Sequence, residues 1–111
     1  MESSLELAHK LKSFIDDKLG ENIVCLDLRG ISTVTDFLII ATGKADTHVK
    51  SIAESMVDEM KKEGMRPLAS EGLSSGTWAC VDYADVIVHI MRKNERETYN
   101  LEAIWGGAAR C

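Results

Sequence analysis

The run Thr77-Trp78-Ala79-Cys80-Val81-Asp82-Tyr83-Ala84-Asp85-Val86-Ile87-Val88-His89-Ile90-Met91 decides the fold. Period-two alternation on both sides of Tyr83-Ala84 reads as two strands, Thr77 to Asp82 and Asp85 to Met91, joined in a hairpin. With Tyr83 and Ala84 as the turn, Asp82 is expected opposite Asp85, Cys80 opposite Ile87, and Trp78 opposite His89. One face then carries Ala79, Val81, Val86, Val88 and Ile90 and should be core. The other carries Trp78, Cys80, Asp82, Asp85, Ile87 and His89. Two carboxylates directly opposite each other are destabilising in isolation, and a tryptophan on a partly wet face costs solubility, so this second face needs a compensating use.

Three readings stand side by side. The aspartates could hold a divalent metal, although calcium takes roughly 6–8 oxygen ligands and only two are in view. They could receive Lys or Arg of a partner around a Trp anchor, the composition of an interface hot spot. Or Asp82 and Asp85 are turn residues, with Trp78 lying under a following helix. That helix is expected to be capped by Asn94 and to run through Glu97, Tyr99, Leu101 and Ile104 to Gly106-Gly107.

Upstream, Ser3 or Ser4 can cap a first helix, with Glu6 favouring its N-terminal end. Leu7, Ala8, Leu11, Phe14, Ile15 and Leu19 recur at helical spacing, and Gly20 suits the stop. Ile23 to Leu28 alternates, with Val24, Leu26 and Leu28 on one face, and Phe37-Leu38-Ile39-Ile40 is a more fully buried strand. Their short connection favours an antiparallel pair. Gly43 ends the second strand. Asp46 is the expected cap of a second helix, whose stripe Val49, Ile52, Ala53, Met56, Val57 and Met60 is core, and Gly64 its stop. A short strand over Arg66 to Ala69 would complete a strand–helix–strand unit, with right-handed crossover. The Gly/Ser-rich stretch Glu71 to Gly76 is a turn. These elements predict an α/β fold: a mixed five-stranded sheet with helices packed on it, in a single domain spanning residues 1–111.

A chain of 111 residues, 45% hydrophobic and 28% charged, suits one globular domain. The longest apolar runs are far too short to span a bilayer. Met1-Glu2-Ser3-Ser4 has neither the basic start nor the apolar block of a secretory signal, so a cytoplasmic protein is expected. Eighteen acidic against thirteen basic side chains give a net charge of −5, which disfavours sequence-blind binding to nucleic acid and suits a basic protein partner. Cys25, Cys80 and Cys111 are odd in number and widely spaced, with no metal-ligand pattern, so free thiols in a reducing compartment are expected. Thr42-Gly43-Lys44-Ala45 resembles the end of a phosphate-binding loop but lacks its first glycine and its Ser or Thr. His9, His48 and His89 fall on separate elements, and His89 reads as a half-buried strand residue.

Several stretches are similar to the ribosomal silencing factor (Iojap-like) family, from about Leu5 to Gly107. They are Val24-Cys25-Leu26-Asp27-Leu28-Arg29-Gly30, Thr35 to Gly43, Gly76-Thr77-Trp78, the Asp82 to His89 run, and Arg96-Glu97-Thr98-Tyr99-Asn100-Leu101-Glu102 with Trp105-Gly106. Cys25 and Cys80 stand where other aliphatic residues are common in the family. The resemblance implies a nucleotidyltransferase-like fold without catalytic apparatus, cofactor or metal. It implies binding to the large ribosomal subunit through ribosomal protein uL14, blocking joining of the small subunit and lowering translation when nutrients are short. It places the docking surface on Trp78, Asp82, Tyr83 and Asp85, which we extend to Glu71 and Tyr99. A homodimer stays open. Plant and animal relatives act in organelles, and the lack of a presequence favours a bacterial protein. The alternative is a nucleotidyltransferase-type enzyme. Such enzymes need Gly-Ser at a strand end and two carboxylates at alternate strand positions, whereas here Lys44 follows Gly43, and Asp82 and Asp85 are three apart.

Overall fold

A computed structural model describes residues 3–111; Met1 and Glu2, part of the N-terminal reading above, lie outside the described residues. The first helix, α1 (Ser4–Asp17), starts where expected: the Ser3 hydroxyl oxygen accepts the Glu6 N–H and caps the first turn. It buries Leu7, Ala8, Leu11 and Ile15. Strand β1 (Glu21–Asp27) pairs antiparallel with β2 (Phe37–Gly43), which is buried at every position. Helix α2 (Asp46–Lys62) follows and buries Val49, Ile52, Ala53, Met56 and Met60, the expected stripe without Val57. Then come β3 (Ala69–Glu71), β4 (Trp78–Asp82), β5 (Val86–Arg92), α3 (Lys93–Tyr99), α4 (Leu101–Ile104) and β6 (Ala109–Arg110).

The six strands form one mixed sheet in the order β3-β4-β5-β2-β1-β6. Helices α1 and α2 cover one face, where Phe37, Ile39, Ala41, Val81, Val86, Val88 and Ile90 join them in the larger core. On the opposite, outer face Leu26, Leu28, Leu38, Ile40 and Met91 form a smaller cluster, closed in part by Trp78, Ile87, Leu101 and Trp105. Only the short helices α3 and α4 follow β5 to shield that side, and neither contains a buried residue.

The mixed α/β sheet with packed helices is as expected, with six strands in place of five. The additional strand, β6, pairs with β1 over Leu26↔Arg110 and Asp27↔Ala109. The strand expected over Arg66 to Ala69 lies at Ala69–Glu71, antiparallel to β4, so α2 does not carry the chain to a neighbour of β2. The parallel neighbour of β2 is β5. Asp46 begins α2 but does not cap it: Ala45 is the N-cap and makes no side-chain cap bond. Nearby, His48 Nδ1 accepts the Lys44 N–H while its Nε2 meets the Lys18 carbonyl. The expected third helix breaks at Asn100, whose left-handed φ of 42° divides it into α3 and α4; asparagine tolerates that region better than most residues. Asn94 lies inside α3, and Arg92 is its N-cap.

Two corrections matter most. In the β4–β5 hairpin Asp82 lies opposite Ile87, Cys80 opposite His89, and Trp78 opposite Met91, two residues away from the expected register. The cause is the turn. Asp85 N–H donates to the Tyr83 carbonyl around Ala84, held at φ 71°, and Tyr83 N–H donates to the Val86 carbonyl, so Asp85 is a turn residue. Because the displacement is even, every strand side chain keeps its expected face. The second correction is a disulfide joining Cys25 to Cys111, which leaves Cys80 as the free thiol. It closes a loop with a sequence separation of 86, worth ~4.6 kcal/mol in the chain-entropy picture.

The contrast between buried strand and exposed linker predicts a contrast in stability. Ile39→Ala, at a fully buried site, should lower unfolding stability by about 2–5 kcal/mol. Leu68→Ala, at a residue 74% exposed, should change it by less than about 0.5 kcal/mol. Urea unfolding followed by circular dichroism measures both.

Candidate functional site

Trp78 is set in place by the loop before it. Gly76 is buried with φ +73°, and a Cβ there would collide with the Asp46 backbone carbonyl oxygen, so only glycine allows the loop to pass under the start of α2. Its N–H donates to the Gly72 carbonyl, and the Thr77 carbonyl accepts the Arg92 N–H, so the chain enters β4 already paired with β5. The indole N–H of Trp78 donates to His89 Nδ1 at 2.9 Å, and its ring centroid lies 4.7 Å from that of Tyr99. Trp78 is thus half-buried under α3, as one of the three sequence readings held, while still contributing to the outer face.

Along β4 the outward positions are Trp78, Cys80 and Asp82. Glu71 on β3 and His89 on β5 flank Cys80 from either side. Burial pushes the Cys80 thiol up, and the nearby Glu71 and Asp82 carboxylates push it further, so it stays protonated and is a poor nucleophile. Burial pushes His89 down. Its Nδ1 accepts from Trp78, an indole that can only donate, so the neutral ring carries its proton on Nε2.

The other expected contacts separate. Asp82 is half-buried, and its Oδ1 accepts the Ala84 N–H at 2.7 Å, so one carboxylate oxygen organises the turn. The Asp85 side chain is exposed, while its carbonyl oxygen accepts the N–H groups of Asp36 and Phe37 and ties the turn to β2. Tyr83 points the other way: it is 6% exposed and lies in the larger core, so its ring is not on the outer face. Its hydroxyl is buried with no hydrogen-bond partner among the described residues, and burial pushes its pKa up to about 12. Tyr99 is 56% exposed beside Trp78. The structure therefore puts Glu71, Trp78 and Asp82 on the same outer face, with Tyr99 beside Trp78 and the two carboxylates beside Cys80, keeps Asp85 at the turn tip, and removes Tyr83. Among the described residues no group of three or more His, Cys, Asp or Glu is gathered to hold a metal ion.

Sequence reasoning missed the apolar half of this face. A groove of about 230 Å³ is lined by Leu28, Val34, Leu38, Ile87, Leu101 and Trp105, with His89 between it and Trp78. Val34 at its rim is 76% exposed. The signal was present in Val34, an isolated apolar residue in a polar loop, and in Trp105. Arg96 holds the helical wall: its guanidinium donates to Glu102 Oε1, Thr42 Oγ1 and the Asn22 carbonyl, which pins α3 and α4 to the ends of β1 and β2. Thr42, part of the phosphate-loop resemblance, thus has a structural bond. Arg92 makes a second tie, bidentate to Glu95 and single to Asp46.

A family model described as ribosomal silencing factor during starvation matches residues 1–111. The ribosomal silencing factor of Bacillus subtilis is 42% identical over 84% of this chain and 79% of its own length. A crystal structure of a Chromobacterium violaceum protein superposes with a TM-score of 0.91 at 33% identity, covering 95% of this chain and 88% of that one. A mouse protein named mitochondrial assembly of ribosomal large subunit protein 1 is 31% identical over 86% of this chain and 43% of its own length.

The Trp78–His89 pair carries a pH dependence. His89 ordinarily titrates near 6.5, and burial lowers it. As pH falls the unfolded chain therefore takes up the proton first, so stability drops below pH 6.5 and levels off once the folded ring is protonated. His89→Phe should lose this component. Urea midpoints of both proteins, compared between roughly pH 5 and 8, test it: curves that stay parallel throughout would exclude the effect.

Proposed function

The chain belongs to the ribosomal silencing factor family, and from that premise we propose that it represses translation in the cytoplasm by docking on the large ribosomal subunit. The partner in this reading is ribosomal protein uL14, and occupation of that site blocks joining of the small subunit when nutrients are limiting. The protein acts by occupying a surface and not as an enzyme.

One observation carries the reading: the outer sheet face has an aromatic centre, an acidic flank and an apolar groove, and no long helix covers it. Trp78 is held from two sides by His89 and Tyr99, so little side-chain freedom remains to be lost on binding. Glu71 and Asp82 lie further along the same face, beside Cys80, and the chain's net charge is −5. Such a surface favours a basic protein over a phosphate backbone. The name of the mouse relative, which concerns large-subunit assembly, points to the same subunit. The enzyme alternative needs two carboxylates converging on one metal. Asp82 is engaged with the turn N–H, and Asp85 is in the turn itself.

The protein should co-sediment with free large subunits and be excluded from joined ribosomes. Trp78→Ala should weaken that binding by well over tenfold, since truncating a central aromatic anchor costs ~2 kcal/mol or more. Asp82→Lys, which adds repulsion, should do comparable damage. Lys61→Glu, on the exposed flank of α2, should bind normally. Circular dichroism must first show each variant folded. Folded Trp78 and Asp82 variants that bind like the parent, with Lys61→Glu impaired, would put the docking surface on the helical side instead.

A further inference from the structure

Cys25 and Cys111 face each other across the β1–β6 ladder, and we propose that they form a reversible redox site whose disulfide clasps the chain segment forming the Trp105 wall of the outer-face groove. Its effect on docking rests on the functional reading above.

The ladder register Leu26↔Arg110 and Asp27↔Ala109 extends by one step to Cys25 opposite Cys111, and the Cys111 N–H donates to the Cys25 carbonyl at 2.9 Å. The Cα atoms are 5.2 Å apart, inside the span of about 4.4–6.8 Å that a disulfide bridges without moving backbone. The same ladder therefore accommodates both the dithiol and the disulfide. Cys25 is 2% exposed whereas Cys111 is half-buried, so an oxidant from solution reaches Cys111 first.

Little else ties down this segment. β6 has two residues, both exposed, and a Cβ at Gly107 just before it would meet nothing. Among the described residues its other polar ties are the short ladder, the Ala108 N–H donating to the Trp105 carbonyl, and the Lys12 ammonium donating to the Cys111 carbonyl. The segment nevertheless carries Trp105 and Ala108 into the smaller core cluster, and Trp105 forms the groove wall with Leu101. The disulfide anchors one end of this wall and the Arg96 bonds anchor the other.

A low-molecular-weight disulfide such as oxidised glutathione supplies the oxidant. The Cys111 thiolate attacks one of its sulfurs, breaking that S–S bond and releasing one glutathione thiolate. The Cys25 thiolate then attacks Cys111 Sγ and expels the second. Two electrons pass from the cysteine pair to glutathione, and the two protons end on the released thiols. Reduction runs the same steps backwards. Cys80 stays out of the exchange, because β5 and β2 lie between its strand and β1.

The test equilibrates the full chain in glutathione buffers of graded ratio and counts alkylatable thiols by mass. One thiol, Cys80, is expected in the oxidised form and three in the reduced form. Hydrogen exchange should then show amides from 103 to 110 opening faster after reduction. Affinity for purified large subunits should fall about tenfold, a typical size for a coupling of this kind. Cys111→Ser and Cys25→Val should each behave as the reduced protein at every ratio. Three thiols at all ratios, or identical exchange over 103–110 in both forms, would overturn the clasp. Equal subunit affinity of the two forms would overturn its effect on docking. If neither form binds large subunits while thiol count and exchange respond as described, the clasp stands and the docking reading falls.

Discussion

β2 is buried at all seven positions and is ladder-bonded on both sides. Seven consecutive pairs join it in parallel to β5, from Phe37↔Val86 to Gly43↔Arg92. A parallel pair cannot be closed by a tight turn, and here α2, β3 and β4 all lie in the connection between β2 and β5. The hairpin turn is part of the same constraint, because the Asp85 carbonyl accepts the first N–H groups of β2. The acidic turn is thus a register device for the sheet centre. Moving it would shift Val86, Val88 and Ile90 relative to Phe37, Ile39 and Ala41 in the larger core.

The two faces of that sheet are stabilised by different means. One is covered by α1 and α2, whose apolar stripes supply most of the burial. The other has only α3 and α4, of seven and four residues, too short to be stable helices by themselves. Specific polar ties replace packing area there. Arg96 spans from α4 to the ends of β1 and β2, and hydrogen bonds to charged groups contribute about 1.5–3 kcal/mol each. Trp78 adds an aromatic contact to Tyr99 and a hydrogen bond to His89. A face assembled in this way stays partly open, which suits it to meeting another surface.

Polarity divides that face across the strands. Glu71 and Asp82 sit toward the β3–β4 edge, while Leu38, Ile87, Leu101 and Trp105 line the groove nearer β2. His89 stands at the boundary, held neutral by burial and by its indole donor. Charged and apolar surface therefore occupy adjacent strips of this face.

The helical stripes of α1 and α2, the Ser3 cap, the apolar face of β1, the full burial of β2, and the inward and outward sets of β4 and β5 were legible in the sequence. So were the placement of Trp78 and Asp82 on one outward face and the acidic balance of the chain. These rest on side-chain period and local hydrogen bonding, which a linear chain displays directly. Tertiary structure alone decided the adjacency of β2 and β5, the position of β3, the break at Asn100 and the pairing of Cys25 with Cys111. It also decided that Tyr83 faces the core, because a residue at a turn takes its direction from backbone torsions that no periodicity records. The physical reason is common to all of these. Strand adjacency is made by backbone N–H and C=O groups, identical in nearly every residue, so which distant segments meet is settled only when the whole sheet closes.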